Sequence, residues 1–203
     1  MCFNYKISLF TFIIGVIFSV LLIKTGNIEN QVTGFLMIFI SFIQFMDFLF
    51  WIDINNTIGI NKITTIIGPI LNVCQPTILY LIKYFYYKPD VFNFVGLLNL
   101  LYFIYFVIIY ITFLSNDKLI TTSKHGHLSW SWIKYYNVFF YLFVFSINIF
   151  YLFDFKYALI LCSVIYLCLF ISTIYFKYNV GELWCFFGAF IPLIMYIVSI
   201  YLL

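Results

Sequence analysis

The residue types best suited to chemistry occur together in one apolar stretch, residues 42–53. An amide, Gln44, and a carboxylate, Asp47, lie there among Phe, Ile, Leu, Met and Trp side chains. With Trp51 they have the spacing i, i+3 and i+7, which places all three on one face of a helix. An ionisable group at membrane depth is costly, so it usually faces the protein interior and marks a functional site. The pattern predicts a buried polar site in which Asp47 binds a small cation or a proton.

A second carboxylate, Glu182, lies next to the start of the last apolar segment, two residues before Trp184. Paired with Asp47, it would form either a proton- or cation-binding site or an acid/base pair. The alternative is that Asp47 makes a structural polar contact between helices. Glu182 would then lie among the lipid headgroups at a favourable helix N-terminus.

Two histidines, His125 and His127, are separated by one residue in a polar segment. With Asp47 and Glu182 they would supply nitrogen and oxygen ligands to a metal ion. The alternative is a solvated loop that binds no metal. The five cysteines show neither a Cys-x-x-Cys pair nor the spacing of a metal site. The sequence therefore predicts no cofactor.

Amide side chains also surround a proline in the third apolar segment. Gln75 directly precedes Pro76, and Asn72 lies one helical turn earlier. A proline breaks or kinks a helix, and inside a membrane the freed carbonyl groups need partners from neighbouring groups or water. Asn72 and Gln75 therefore either satisfy a simple kink or line a substrate-binding break, as in transporters with discontinuous helices. Asn137 is a further candidate for lining such a path.

The elements that must position these residues are membrane helices. The chain has 203 residues, of which 66% are hydrophobic and 8% are charged, whereas a soluble domain has about 25% charged residues. A spanning helix needs about 20 mostly apolar residues. Seven segments qualify, at 7–23, 33–52, 63–86, 91–114, 133–153, 157–176 and 181–202. We predict an all-α fold, with residues 1–203 forming a single seven-transmembrane-helix bundle in the lipid bilayer.

Two patterns refine this prediction. The first segment carries a stripe of small residues suited to close helix packing in lipid, namely Ser8, Thr11, Gly15 and Ser19.

All basic residues are lysines, scattered along the chain without a basic patch, which argues against a nucleic-acid partner. No span is expected to hold a buried lysine suited to a retinal Schiff base, since Lys177 lies at a span edge. The oligomeric state is left open.

Seven crossings would place the N-terminus and every second connection on one side. All four tryptophans, both histidines and Glu182 would then lie toward that side. The tryptophans form either a belt at the headgroup level or the rim of a polar vestibule with Asp47 near its floor. Six lysines on this side against four on the other favour an N-terminus in the cytoplasm.

The chain resembles a family of multi-span membrane proteins found in bacteria and in large DNA viruses of protists. The resemblance rests on the following residues: Met1-Cys2-Phe3-Asn4, then Gln44, Asp47 and Trp51, then Gln75-Pro76, and finally Trp184-Cys185-Phe186. The family begins Met-Cys-Phe-Ser and usually has Glu where this chain has Asp47. It has no assigned activity, so the resemblance implies architecture more than function.

These observations lead to three functional hypotheses. The first is a small transporter or channel-like protein in which Asp47 binds a cation or proton, Gln44, Asn72 and Gln75 line the path, and Glu182 lies near its mouth. The second is a membrane-embedded enzyme acting on lipid, with Asp47, Glu182 and the two histidines as acid/base or metal groups. The third is a receptor-like or structural bundle without chemistry.

Overall fold

The computed structural model describes residues 4–87, 93–116, 118–124, 127–175, 184 and 186–201. In this part of the chain the structure is almost entirely helical, which confirms the all-α prediction. The helices are α1 (Tyr5–Lys24), α2 (Ile28–Ile52), α3 (Ile60–Val73), α4 (Gln75–Tyr87), α5 (Phe94–Asn116), α6 (Val138–Leu152), α7 (Phe155–Tyr175) and α8 (Ile191–Tyr201). Two short antiparallel strands, β1 (Thr122–Lys124) and β2 (His127–Ser129), and a 3₁₀ turn at Ile133–Tyr135 lie between α5 and α6.

Each of the seven predicted segments contains helix, but the helices differ in length. Four of them, α1, α2, α5 and α7, are long and apolar enough to cross a membrane. The third segment is divided into α3 and α4, which together pass the same test but meet at an angle of 60°. The remaining apolar helices, Val138–Leu152 and Phe186–Tyr201, are shorter. Several apolar helices thus fit an integral membrane protein, and the number of crossings stays a prediction.

The first two helices form a closely packed antiparallel pair, as the small-residue stripe predicted. Ser8, Thr11, Gly15 and Ser19 are all buried on α1. A Cβ atom added to Gly15 would lie 2.3 Å from the hydroxyl oxygen of Ser41 on α2. This approach leaves no room for a larger side chain at Gly15, so the small residues of the stripe allow the two helix backbones to pack closely.

Asparagine caps explain why two helices begin away from their predicted starts. The α2 helix starts at Ile28 because the Asn27 side chain accepts a hydrogen bond from the Glu29 amide at 2.8 Å. The α6 helix starts only at Val138, because Asn137 is its N-cap and accepts from the Phe140 amide at 3.1 Å. The prediction that a helix begins at 133 is therefore wrong, and an asparagine cap is the cause.

Side chains satisfy the carbonyl groups at the break between α3 and α4. The Gln75 amide donates to the Leu71 carbonyl at 3.2 Å, and the Tyr102 hydroxyl donates to the Val73 carbonyl at 2.8 Å. The Asn148 amide donates to the Pro76 carbonyl, also at 2.8 Å. The break thus has the protein partners that a broken helix in a membrane needs.

A pair of buried amides joins this break to the neighbouring helices. Asn99 on α5 and Asn148 on α6 donate to each other's side-chain oxygens at 2.7 and 2.9 Å. On the other side of the break, the Tyr141 hydroxyl donates to the Gln75 side-chain oxygen. Helices α4, α5 and α6 are therefore connected through polar groups in the interior of the bundle.

The contacts between connecting segments lie at two ends of the bundle. We call one the Asp47 end: it contains the C-terminus of α2, the N-terminus of α3 and the connector, by which we mean the described residues 118–124 and 127–137 between α5 and α6. We call the other the Lys83 end: it contains the N-terminus of α2, the C-terminus of α4 and the turn between α6 and α7. At the Lys83 end, the Glu29 carboxylate accepts from the Asp154 amide at 2.8 Å.

Candidate functional site

Asp47 lies inside the Asp47 end of the bundle and has no exposed surface. Its Oδ1 atom accepts a hydrogen bond of 3.0 Å from the indole nitrogen of Trp130, which lies 83 residues later in the chain. Trp130 belongs to the connector and is only 2% exposed. The connector therefore reaches into the bundle and covers the carboxylate.

Gln44 extends this polar site by one helical turn along α2. It is 1% exposed, and its side-chain oxygen accepts from the Thr11 hydroxyl on α1 at 2.9 Å. The prediction that Gln44 and Asp47 face the interior from one side of α2 is confirmed. Trp51 is half-buried, and among the described residues its buried indole nitrogen has no hydrogen-bond partner.

Three fully buried polar residues fasten the connector to α3. Asn61 donates from its amide to the Thr121 carbonyl at 2.9 Å and accepts from the Thr121 amide at 2.9 Å. Thr65 lies one turn further along α3, and its hydroxyl oxygen is 2.9 Å from that of Thr121. The Asn61 side chain thus pairs with both backbone groups of Thr121, as a strand would.

Trp132 provides a second attachment between the connector and α3. Its ring occupies the space beside Gly68, where an added Cβ atom would lie 2.4 Å from a ring carbon. Trp130 stacks on Trp132 with 5.2 Å between ring centroids. Trp132 is 1% exposed. A headgroup belt or an open rim would leave these two rings partly exposed, so both alternatives predicted for the tryptophans are wrong for Trp130 and Trp132, which fill the bundle interior.

Asp53, two turns beyond Asp47, organises the loop between α2 and α3. Its carboxylate accepts from the Thr57 amide at 2.6 Å, from the Thr57 hydroxyl at 3.0 Å, and from the Ile58 and Asn61 amides at 3.3 Å. Burial raises the pKa of this carboxyl, but the hydrogen bonds from Ile58, Asn61 and Thr57 outweigh that effect. The resulting pKa lies below the ordinary value, so Asp53 holds the first turn of α3 as an anion.

Of the remaining predicted site residues, the structure describes His127 and Trp184. Glu182 and His125 lie outside the described residues, so their pairing with Asp47 stays a prediction. His127 begins strand β2, paired with Lys124 across the hairpin, and Trp184 is buried. Where the chain is described, no group of three or more His, Cys, Asp or Glu side chains could hold a metal ion.

Gln75 and Asn137 have hydrogen-bonding roles of their own, and a path past Asp47 that includes Asn72 stays a prediction. The Gln75 side-chain nitrogen donates to the Leu71 carbonyl, and the side-chain oxygen accepts from the Tyr141 hydroxyl. Asn72 lies next to the break and is half-buried. Asn137 is exposed and caps α6. The simple-kink alternative thus accounts for Gln75.

Lys83, in the third predicted segment, is a buried lysine that the sequence did not indicate. It is 5% exposed on α4, with its ammonium nitrogen 4.9 Å from the centroid of the Phe153 ring. The charges of Glu29 and Asp154 act on it. A lysine near a span end ordinarily extends into the headgroups, whereas Lys83 lies inside the bundle beside the Phe153 ring.

Sequence reasoning also missed Asn61, Thr65 and Thr121 as part of the site. Asn61 and Thr65 have the spacing i, i+4, which marks one face of a helix. That spacing was visible, but their partner Thr121 lies 56 residues from Thr65, and no local pattern identifies such a distant contact.

The arrangement places the carboxyl group of Asp47 one helical turn from the amide oxygen of Gln44 and the Thr11 hydroxyl bonded to it, all in an apolar interior. Oxygen ligands of this kind suit a proton or a hard cation. Comparisons of the chain with family models, with curated proteins and with solved structures gave no match. The local geometry therefore carries the functional argument.

Proposed function

We propose that this integral membrane protein is a small transporter or channel-like protein in which Asp47 binds a proton or a small cation. The observation that carries the proposal is the hydrogen bond between the buried Asp47 carboxylate and Trp130 of the connector. Burying a charged group is expensive in lipid, so such groups are usually functional. Here the group that covers the charge comes from a connecting segment.

The hydrogen bond gives occupancy of Asp47 a way to act on the connector. An indole N–H group donates hydrogen bonds but cannot accept them. Protonation of the carboxylate removes its negative charge and so weakens the hydrogen bond that Trp130 donates to it, and a cation on Oδ1 competes with the indole for the same oxygen. Binding at Asp47 and docking of Trp130 therefore oppose each other, which is the differential interaction that a ligand-driven conformational change requires.

The proposal includes seven crossings, with the Asp47 end in the cytoplasm. The grouping of connecting segments at two ends supports this arrangement, as does the excess of lysine on the N-terminal side. Asn55-Asn56-Thr57 would then be cytoplasmic and unglycosylated. A glycan on Asn55 in a eukaryotic host would contradict this orientation.

Flux measurements in reconstituted vesicles test the function. Wild-type protein should move protons or a monovalent cation down an imposed gradient, and Asp47→Asn should abolish that flux while the protein stays folded. Asp53→Asn is the matched control, because it removes a neighbouring carboxylate that serves the α2–α3 loop. Its flux per folded molecule should equal that of wild type. Unchanged flux in Asp47→Asn would refute the proposal.

A structural membrane protein without transport is the second candidate. It is favoured by the Asn99–Asn148 pair, whose amides are used to connect helices and satisfy the Pro76 carbonyl. If Asp47 and Trp130 have the same role, replacing both by apolar residues should be tolerated. The double variant Asp47→Leu with Trp130→Phe would then be as stable as wild type, and neither protein would support flux. The lipid-acting enzyme stays a prediction, because Glu182 and His125 lie outside the described residues.

A further inference from the structure

The two halves of the broken third segment are held at opposite ends of the bundle. Helix α3 is attached to the connector at the Asp47 end, and α4 carries Lys83 at the other end. The two helices meet at Cys74 with an angle of 60°. Such a break lets one half of a span change position without the other.

The attachment of α3 is made of side chains without exposed surface. Asn61 and Thr65 bond to Thr121, and the ring of Trp132 lies against Gly68. The same connector carries Trp130, which covers Asp47. Movement of the connector away from Asp47 would therefore move α3 or break these contacts.

Helix α4 is attached at the Lys83 end through the buried Lys83 side chain. Lys83 is 5% exposed and lies near Phe153, and the charges of Glu29 and Asp154 act on it. The Glu29 carboxylate also accepts from the Asp154 amide, so the ends of α2, α4 and α6 are joined. Tyr157 closes the same end by donating to Asn30 and Thr33, each at 3.0 Å.

The two attachments are too far apart to form one site. Glu29 and Asp47 both lie on α2, and at 1.5 Å per residue they are separated by about 27 Å, close to the thickness of a bilayer core. Each end of the bundle therefore has its own polar closure, and each closure includes a different half of the broken span.

We propose that α3 and α4 act as two separate gates. Helix α3 with the connector closes the Asp47 end, and α4 closes the opposite end through Lys83, Glu29 and Asp154. This inference rests on the proposed transport function, because gates at both ends serve a protein that admits an ion from one side at a time.

A disulfide lock tests the gate at the Asp47 end. The variant Thr65→Cys with Thr121→Cys, in a background with Cys2→Ser and Cys185→Ser, places two thiols where the hydroxyl oxygens are 2.9 Å apart. Oxidation should stop the Asp47-dependent flux, and reduction should restore it. Each single-cysteine variant should keep its flux after oxidation. Equal flux in the oxidised and reduced double variant would overturn the gate at this end.

Labelling of a cysteine tests the gate at the Lys83 end without a flux measurement. Thr33→Cys replaces a residue with no exposed surface, and a membrane-impermeant maleimide should label it slowly. Adding Lys83→Met should raise the labelling rate, whereas Lys24→Met, at an exposed position of the same end, should not. If Lys83→Met fails to fold, Asp154→Asn replaces it. This variant removes a charge of the same closure at an exposed position and should also raise the labelling rate.

The outcomes separate this inference from the function on which it rests. No Asp47-dependent flux in the reduced cysteine variant or in wild type would refute the transport function, and the gates with it. Asp47-dependent flux that survives oxidation, or labelling that responds equally to Lys83→Met and Lys24→Met, would overturn the gates alone.

Discussion

Asp47 and Trp130 are the two residues that most define this protein. The carboxylate was visible in the sequence as an ionisable group on an apolar helix, and its burial confirms that interpretation. Its partner was not predictable, because Trp130 lies 83 residues away in a polar connection. Tryptophan in such a segment ordinarily indicates the membrane interface, and here the indole extends inward to a buried acceptor.

The contact between Asp47 and Trp130 should appear as a coupling energy. In a double-mutant cycle of Asp47→Leu and Trp130→Phe, the two changes together should cost less than the sum of each alone, by about 1–3 kcal/mol, because each single change removes one side of the same buried hydrogen bond. Unfolding of the four proteins in detergent measures it. The cycle of Asp47→Leu with Trp132→Phe should show a smaller coupling, and equal couplings would count against the hydrogen bond.

Asp53 should make stability depend on acid pH. Its pKa in the folded protein lies below the ordinary value of 3.8, so the carboxylate stabilises the fold fully above the unfolded pKa. That stabilisation is lost as the pH falls through the lower folded value. Thermal unfolding from pH 6 to about pH 3 should therefore show a wild-type melting temperature that falls toward that of Asp53→Asn. A constant difference between the two proteins across this range would contradict the assignment.

At the scale of elements, the sequence indicated the break in the third segment and its physical need. Pro76 removes a backbone donor, and Gln75 was expected to satisfy a freed carbonyl, as it does with Leu71. The other two donors, Tyr102 and Asn148, come from α5 and α6. Their identity depends on how the helices pack, which local sequence does not determine.

The fit between α3 and the connector should be sensitive to a single methyl group. In Gly68→Ala, the new Cβ atom would lie 2.4 Å from a carbon of the Trp132 ring, and a rigid ring cannot yield without shifting the connector. The expected loss of stability is about 1–3 kcal/mol, despite the better helix propensity of alanine. Gly188→Ala is the matched control, because its nearest neighbour is an Ile40 methyl at 3.9 Å. Equal melting temperatures for the two variants would disprove the close fit.

At the scale of the whole molecule, composition and hydropathy indicated the class of protein and the approximate position of each helix. They overestimated the uniformity of the spans: α6 has 15 residues because Asn137 caps it late, and the third segment is two helices. They also gave no indication that Lys83 is buried. Its burial depends on the position of Phe153, Glu29 and Asp154 at the Lys83 end. That position results from how the helices pack, which local sequence does not determine.

The proposed transport function and the two proposed gates depend on one claim, that Asp47 binds a proton or a cation. Infrared spectroscopy of the purified protein measures this most directly, through the carbonyl stretching band that a protonated carboxyl group shows. We predict one band that titrates in wild type, that shifts its midpoint when sodium or potassium replaces choline, and that is missing in Asp47→Asn. A spectrum of Asp47→Asn identical to that of wild type, with no response to the cation, would contradict the account.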